Sequence, residues 1–81
     1  MQARGLWTGR EVAAFRQALG MSREAFAAHT GVSAEAVRKW ERRRQTIQLT
    51  APYAARMDRK LHQADAVDTE RFWSILQSTE D

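Results

Sequence analysis

The residues best suited to chemistry are five cations within seven positions: Arg38, Lys39, Arg42, Arg43 and Arg44, offset only by Glu41. Guanidinium and ammonium groups pair with carboxylates and phosphates, and both suit the O6 and N7 acceptors of guanine. One reading is a solvated helix face, held by pairs such as Glu35 with Arg38 and Lys39 at about 0.2–0.5 kcal/mol each. The other is a contact surface for a polyanion. Other chemistries find less support. There is no cysteine, so disulfides, thiolate metal sites and cysteine nucleophiles are excluded. His29 and His62 lie far apart, with no second ligand at metal spacing, so no metal site is expected. Ser22 and Ser33 read as helix caps rather than nucleophiles. No Gly-rich phosphate loop is present, and the chain reads as a non-enzyme without a cofactor.

What positions the basic run follows from a repeated local signal. An apolar residue precedes Ser, Thr or Asp, and a second apolar residue follows four places after the polar one. It occurs at Trp7-Thr8…Val12, Met21-Ser22…Phe26, Val32-Ser33…Val37, Leu49-Thr50…Ala54 and Val67-Asp68…Phe72. This is an N-cap with its hydrophobic staple, and Thr8 with Glu11 adds a capping box. Five signals predict five helices: about Gly9–Leu19, Arg23–Thr30, Ala34–Arg42 or slightly beyond, Ala51 or Pro52 to Ala64, and Thr69–Gln77. Val12, Phe15 and Leu19 form the first buried stripe; Tyr53, Met57, Leu61 and Ala64 form the fourth. Gly20 suits a C-cap, Pro52 is tolerated in a first turn, and Gln45–Leu49 is expected to be extended. No strand pattern competes, so the fold class is all-α. The last residues are expected to fray.

Residues 21–44 give two short helices joined by a turn at Gly31, where φ > 0 costs little. Ala27 allows a close crossing, and Val32 and Val37 bury the turn. On the second helix Val37 and Trp40 share one face, while Glu35, Arg38, Lys39 and Arg42 share the other. That arrangement is a helix-turn-helix. Gly20-Met21-Ser22, Phe26-Ala27-Ala28, Gly31-Val32-Ser33 and Val37-x-Lys39-Trp40-Glu41 resemble the phage-repressor/Cro-like, or XRE, family of transcriptional regulators. Leu6-Trp7-Thr8-Gly9-Arg10-Glu11-Val12 resembles the first helix of actinobacterial members. The resemblance covers roughly residues 5–65 and implies a five-helix, lambda-repressor-like bundle. It further implies base contacts from Ala34, Glu35, Arg38 and Lys39, and phosphate contacts from Ser22, Arg23, Arg42, Arg43 and Arg44. Arg43 stands where the family often has the glycine that closes the second helix, which leaves open whether the helix runs on through Arg44 or Gln45.

Against that pattern, Glu35 reads equally as a base contact or as an acid favoured by the helix dipole. Trp7, Phe15, Phe26 and Trp40 read as core, which argues against stacking on single-stranded bases.

At 81 residues the chain has room for one small domain with a thin core. Its net charge of +3 hides an asymmetry: residues 1–60 carry twelve Lys/Arg against five Asp/Glu, and residues 61–81 one against five. A basic body suits a polyanion. No apolar run approaches a membrane span, and a cytoplasmic, nucleoid-associated protein is expected. Phe72, Trp73, Ile75 and Leu76 cover a wide apolar arc on the fifth helix. Phe72 and Leu76 suffice to dock it, leaving Trp73 or Ile75 for a symmetric partner, so residues 66–81 are expected to dimerise. The competing reading is that all four complete the monomer core. The resulting expectation is a sequence-specific regulator of double-stranded DNA, a repressor, binding a roughly palindromic operator as a homodimer. Two alternatives stay open: an antitoxin that binds a toxin and its own operator, and a helix-turn-helix used only for protein contacts.

Overall fold

Thr8, Ser22, Ser33 and Thr50 hold extended backbone immediately before a helix, the geometry of an N-cap. In the computed structural model, which describes residues 7–78, they open α1 (Gly9–Leu19), α2 (Arg23–Thr30), α3 (Ala34–Arg43) and α4 (Ala51–Gln63). A 3-10 turn, Arg44–Thr46, follows α3, and α5 (Ala66–Ser78) completes an all-α, five-helix fold. Ser22 Oγ accepts the Ala25 N–H and Ser33 Oγ the Ala36 N–H, each at 3.0 Å. The Thr8 N–H donates to Glu11 Oε1 at 2.9 Å and the Thr8 side chain faces the Glu11 backbone N–H, the two halves of the expected capping box, while the Thr8 hydroxyl also meets the Glu11 carboxylate. Leu6 and the residues expected to fray beyond 78 lie outside the described residues.

The core is built around α1, which packs on both α3 and α5. Trp7, Phe15, Phe26 and Phe72 are fully buried and form an aromatic cluster with ring centroids 5.6 to 5.8 Å apart. Trp7 does more than staple α1. Its indole Nε1–H donates to Asp58 Oδ1 on α4 at 2.7 Å, and its carbonyl accepts the Leu49 N–H at 2.8 Å. Thr8 and Gln48 form an isolated antiparallel bridge beside that bond. Gly9 is buried where α1 meets α3: a Cβ there would lie 1.7 Å from the Trp40 carbonyl oxygen. Only a residue without a side chain allows the two backbones to come so close.

Several expectations are corrected. Gln45 and Thr46 are not extended, because the Arg44–Thr46 turn takes them. The second helix of the motif does not run on; it stops at Arg43, and Arg44 adopts φ 50°, ψ −127°. On α1, Leu19 is only half-buried, and Ala14 and Ala18 fill the core beside Val12 and Phe15. Ala54 rather than Tyr53 joins Met57 and Leu61 in the core; Tyr53 is 41% exposed with its ring edge-on to Trp40 at 5.3 Å, and Ala64 is half-buried beyond the helix end. Both spacings are helical, so periodicity alone does not choose between them. Val32 is half-buried, while Val37 is fully buried. Finally, α5 starts earlier than Asp68 implies. Asp65 caps it: Asp65 Oδ1 accepts the Asp68 N–H at 2.8 Å, and its carbonyl accepts the Thr69 hydroxyl at 2.9 Å.

Candidate nucleic-acid interface

The turn between α2 and α3 has the expected form. Gly31 sits at φ 80°, and the Gly31 and Val32 N–H groups both donate to the Ala27 carbonyl, at 2.9 and 3.0 Å. The turn sends α3 across α2 with Val37 and Trp40 buried and Glu35, Arg38, Lys39 and Arg42 all exposed. The amphipathic division read from spacing is therefore present. Ala34 differs from its three companions: it is half-buried and packs on the core at the first turn of α3. Ser22 and Arg23 stand at the start of α2, and Arg43 and Arg44 beyond the exposed face of α3, all exposed.

Ion pairs arrange this surface differently from the local pairing considered for a solvated face. Arg38 Nη1 lies 3.4 Å from Glu24 Oε2 on α2 instead of pairing with Glu35, and both side chains are exposed. Lys39, Arg42, Arg43 and Arg44 have no carboxylate partner among the described residues. A surface that holds cations without countercharges favours an anionic partner.

The local sequence gave no sign of what holds α3 in place. Glu41 is 8% exposed and takes a two-point bond from Arg16 of α1: Nε to Oε2 at 2.6 Å and Nη2 to Oε1 at 3.1 Å. Arg16 Nη1 also donates to the Met21 carbonyl at 3.1 Å. Arg23 Nε donates to Glu41 Oε1 at 3.1 Å. One carboxylate thus ties α1, the start of α2 and the end of α3 together. Two clefts flank the exposed face of α3. Arg16, Gln17, Arg23, Arg42 and Arg44 line the one toward α1 and α2. Ser33, Glu35, Lys39 and Tyr53 line the one toward α4. Gln17 and Tyr53 are additions to the residues expected from the sequence, and no spacing rule pointed to them.

On α5, Phe72 and Leu76 are buried in the monomer core, so they are not open to a partner; Ile75 is half-buried and Trp73 is 43% exposed. Trp73 borders a cleft of about 620 Å³ between α4 and α5, with Leu61, His62 and Thr69. The helix is tied down by Arg10 Nη2 donating to the Leu76 carbonyl at 2.6 Å and Arg71 Nη1 donating to the Ala18 carbonyl at 3.1 Å. His29 and His62 are both exposed. Among the described residues, no helix is long and apolar enough to cross a membrane.

A family model described as helix-turn-helix matches residues 12–51, which span most of α1, all of α2 and α3, and the first residue of α4. No curated protein and no solved structure matches the chain.

Proposed function

Given that the chain belongs to the XRE/Cro-like helix-turn-helix family and carries its DNA-binding domain, we propose that it is a sequence-specific regulator, a repressor, that reads the major groove of duplex DNA with α3. The observation that carries this reading is the exposed face of α3 opposite buried Val37 and Trp40, on which Lys39 and Arg42 have no carboxylate partner among the described residues. Arg38 and Lys39 stand on that face where they can reach guanine O6 and N7, and Glu35 can accept from a cytosine amino group. Ala34 keeps only a limited surface for a thymine methyl. Ser22, Arg23, Arg42, Arg43 and Arg44 contact phosphates, setting register without reading sequence. The Arg38–Glu24 pair does not oppose this role, because an exposed pair is worth about 0–1 kcal/mol and opens readily.

Repression follows from occupancy: a small domain on its operator excludes other proteins from the same groove. The operator is roughly palindromic, with the chain bound as a dimer through α5. Exposed Trp73 beside the α4–α5 cleft supports that assembly. The same feature also suits a different protein partner, the arrangement of an antitoxin, so a second copy and a foreign partner compete for one surface.

The test is base discrimination. Lys39→Ala and Arg38→Ala should each relax preference at one or two base pairs by about 1–3 kcal/mol, measured by fluorescence anisotropy on single-substitution duplexes. Uniform weakening on every sequence would make that residue a phosphate contact and would count against the assigned rotation of α3.

A further inference from the structure

We infer that the cleft between α1, α2 and α3 is a cradle for one backbone phosphate of the bound duplex, closed by Arg44; the inference rests on the DNA-binding reading above and deepens it. Five arginines, Arg16, Arg23, Arg38, Arg42 and Arg44, line this cleft of about 390 Å³ together with a single acidic residue, Glu41. Their bonds sort them by availability. Arg16 spends its donors on Glu41 and the Met21 carbonyl. Arg38 is paired with Glu24. Arg23 gives Nε to Glu41, which fixes its guanidinium at the cleft and leaves its Nη groups for another acceptor. Arg42 and Arg44 have no carboxylate partner among the described residues. The cleft therefore offers three arginines, one from the start of α2 and two from the end of α3 and the turn that follows it. Gln17 of α1 adds an exposed amide at its edge. Several fork-shaped donors converging on a small volume match the oxygens of a phosphate.

The backbone of Arg44 is an independent reason. It is the one non-glycine residue with positive φ among the described residues, at φ 50° and ψ −127°. An L side chain rarely occupies that region, and strain of this kind clusters at ligand clamps and switch segments. Arg44 lines the cleft with Ala13 and Gln17 of α1, and Arg42 lines it from the end of α3. Arg43, one residue earlier, is exposed and does not line it. Three consecutive arginines thus divide: Arg42 and Arg44 share one anion, and Arg43 meets another.

Sharing has a measurable signature. Each phosphate neutralised contributes about 0.9 to the slope of log K against log salt. The experiment compares the full chain with Arg44→Gly, Arg42→Gln and the double variant on a duplex recovered by selection. Arg44→Gly should melt higher by roughly 5 °C, because glycine accepts the turn conformation, while binding more weakly. The double variant should lose no more than about 0.9 of slope in total, since Arg23 still faces the same phosphate, and a methylphosphonate at one position of the duplex should abolish the effect of both substitutions. A double loss of roughly 1.8 would mean two independent phosphates and would overturn the cradle while leaving DNA binding intact, as would an Arg44→Gly variant with unchanged affinity. Wild-type protein that binds no duplex would remove the functional reading and the cradle with it.

Discussion

Replacing Glu41 with glutamine should cost the fold far more than its one-atom change suggests. The carboxylate is 8% exposed and accepts two bonds from Arg16 and one from Arg23. In the glutamine variant one oxygen becomes an NH2 group facing guanidinium donors, and the charge that balances Arg16 disappears. Breaking a buried pair from one side typically costs about 3–5 kcal/mol. The lower end applies, because Arg16 is 17% exposed and keeps its bond to the Met21 carbonyl. About 3 kcal/mol corresponds to a fall in Tm of roughly 12–24 °C for a domain of this size. Arg16→Met should cost less, about 2 kcal/mol, since Arg23 still neutralises Glu41. An Arg16→Met/Glu41→Leu double variant should recover much of the loss, as apolar replacements of buried pairs often do. Thermal and urea unfolding followed by circular dichroism measure all three. A Glu41→Gln variant within about 0.5 kcal/mol of wild type, the range of ordinary surface substitutions, would refute the claim that this carboxylate holds α3 in place.

Gly9→Ala should destabilise by about 3 kcal/mol, because the obstacle to its Cβ is the Trp40 carbonyl and not a movable side chain; a normal melt would show that α1 and α3 separate at little cost. Gly31→Val should lose about 1–3 kcal/mol through its backbone, which stands at φ 80°, with Gly31→Asn milder; the steric neighbour there is only the tip of Arg56 and can move. Trp73→Ala should turn a homodimer into a folded monomer in sedimentation equilibrium at micromolar concentration. A wild-type monomer, or a variant that unfolds instead of dissociating, would end the case for α5 as the interface.

What could be read from the sequence was local. Ser22, Ser33 and Gly31 announce α2, α3 and their turn, because caps and left-handed glycines act within a few residues. The buried and exposed faces of α3 followed from a period of 3.6. Asp65 does not stand out in the sequence because Val67-Asp68…Phe72 carries the same signal three residues later, and both aspartates stand near the start of α5. Tyr53 reads as core because 53, 57 and 61 space as well as 54, 57 and 61, and periodicity alone does not choose between the two sets. Glu41 and Arg16 lie 25 residues apart, beyond any local rule. The positive φ falls on Arg44, one residue past Arg43, where the family often has glycine, so neither propensity nor the family pattern locates the turn.

Selection of bound duplexes from a random library by the purified chain tests the central claim most directly. The expected result is enrichment of one roughly palindromic sequence, with half-sites about one helical turn apart, whose preferred bases shift under Lys39→Ala. Recovery of no preferred sequence from a folded protein, with only salt-sensitive binding to every duplex, would contradict readout by α3.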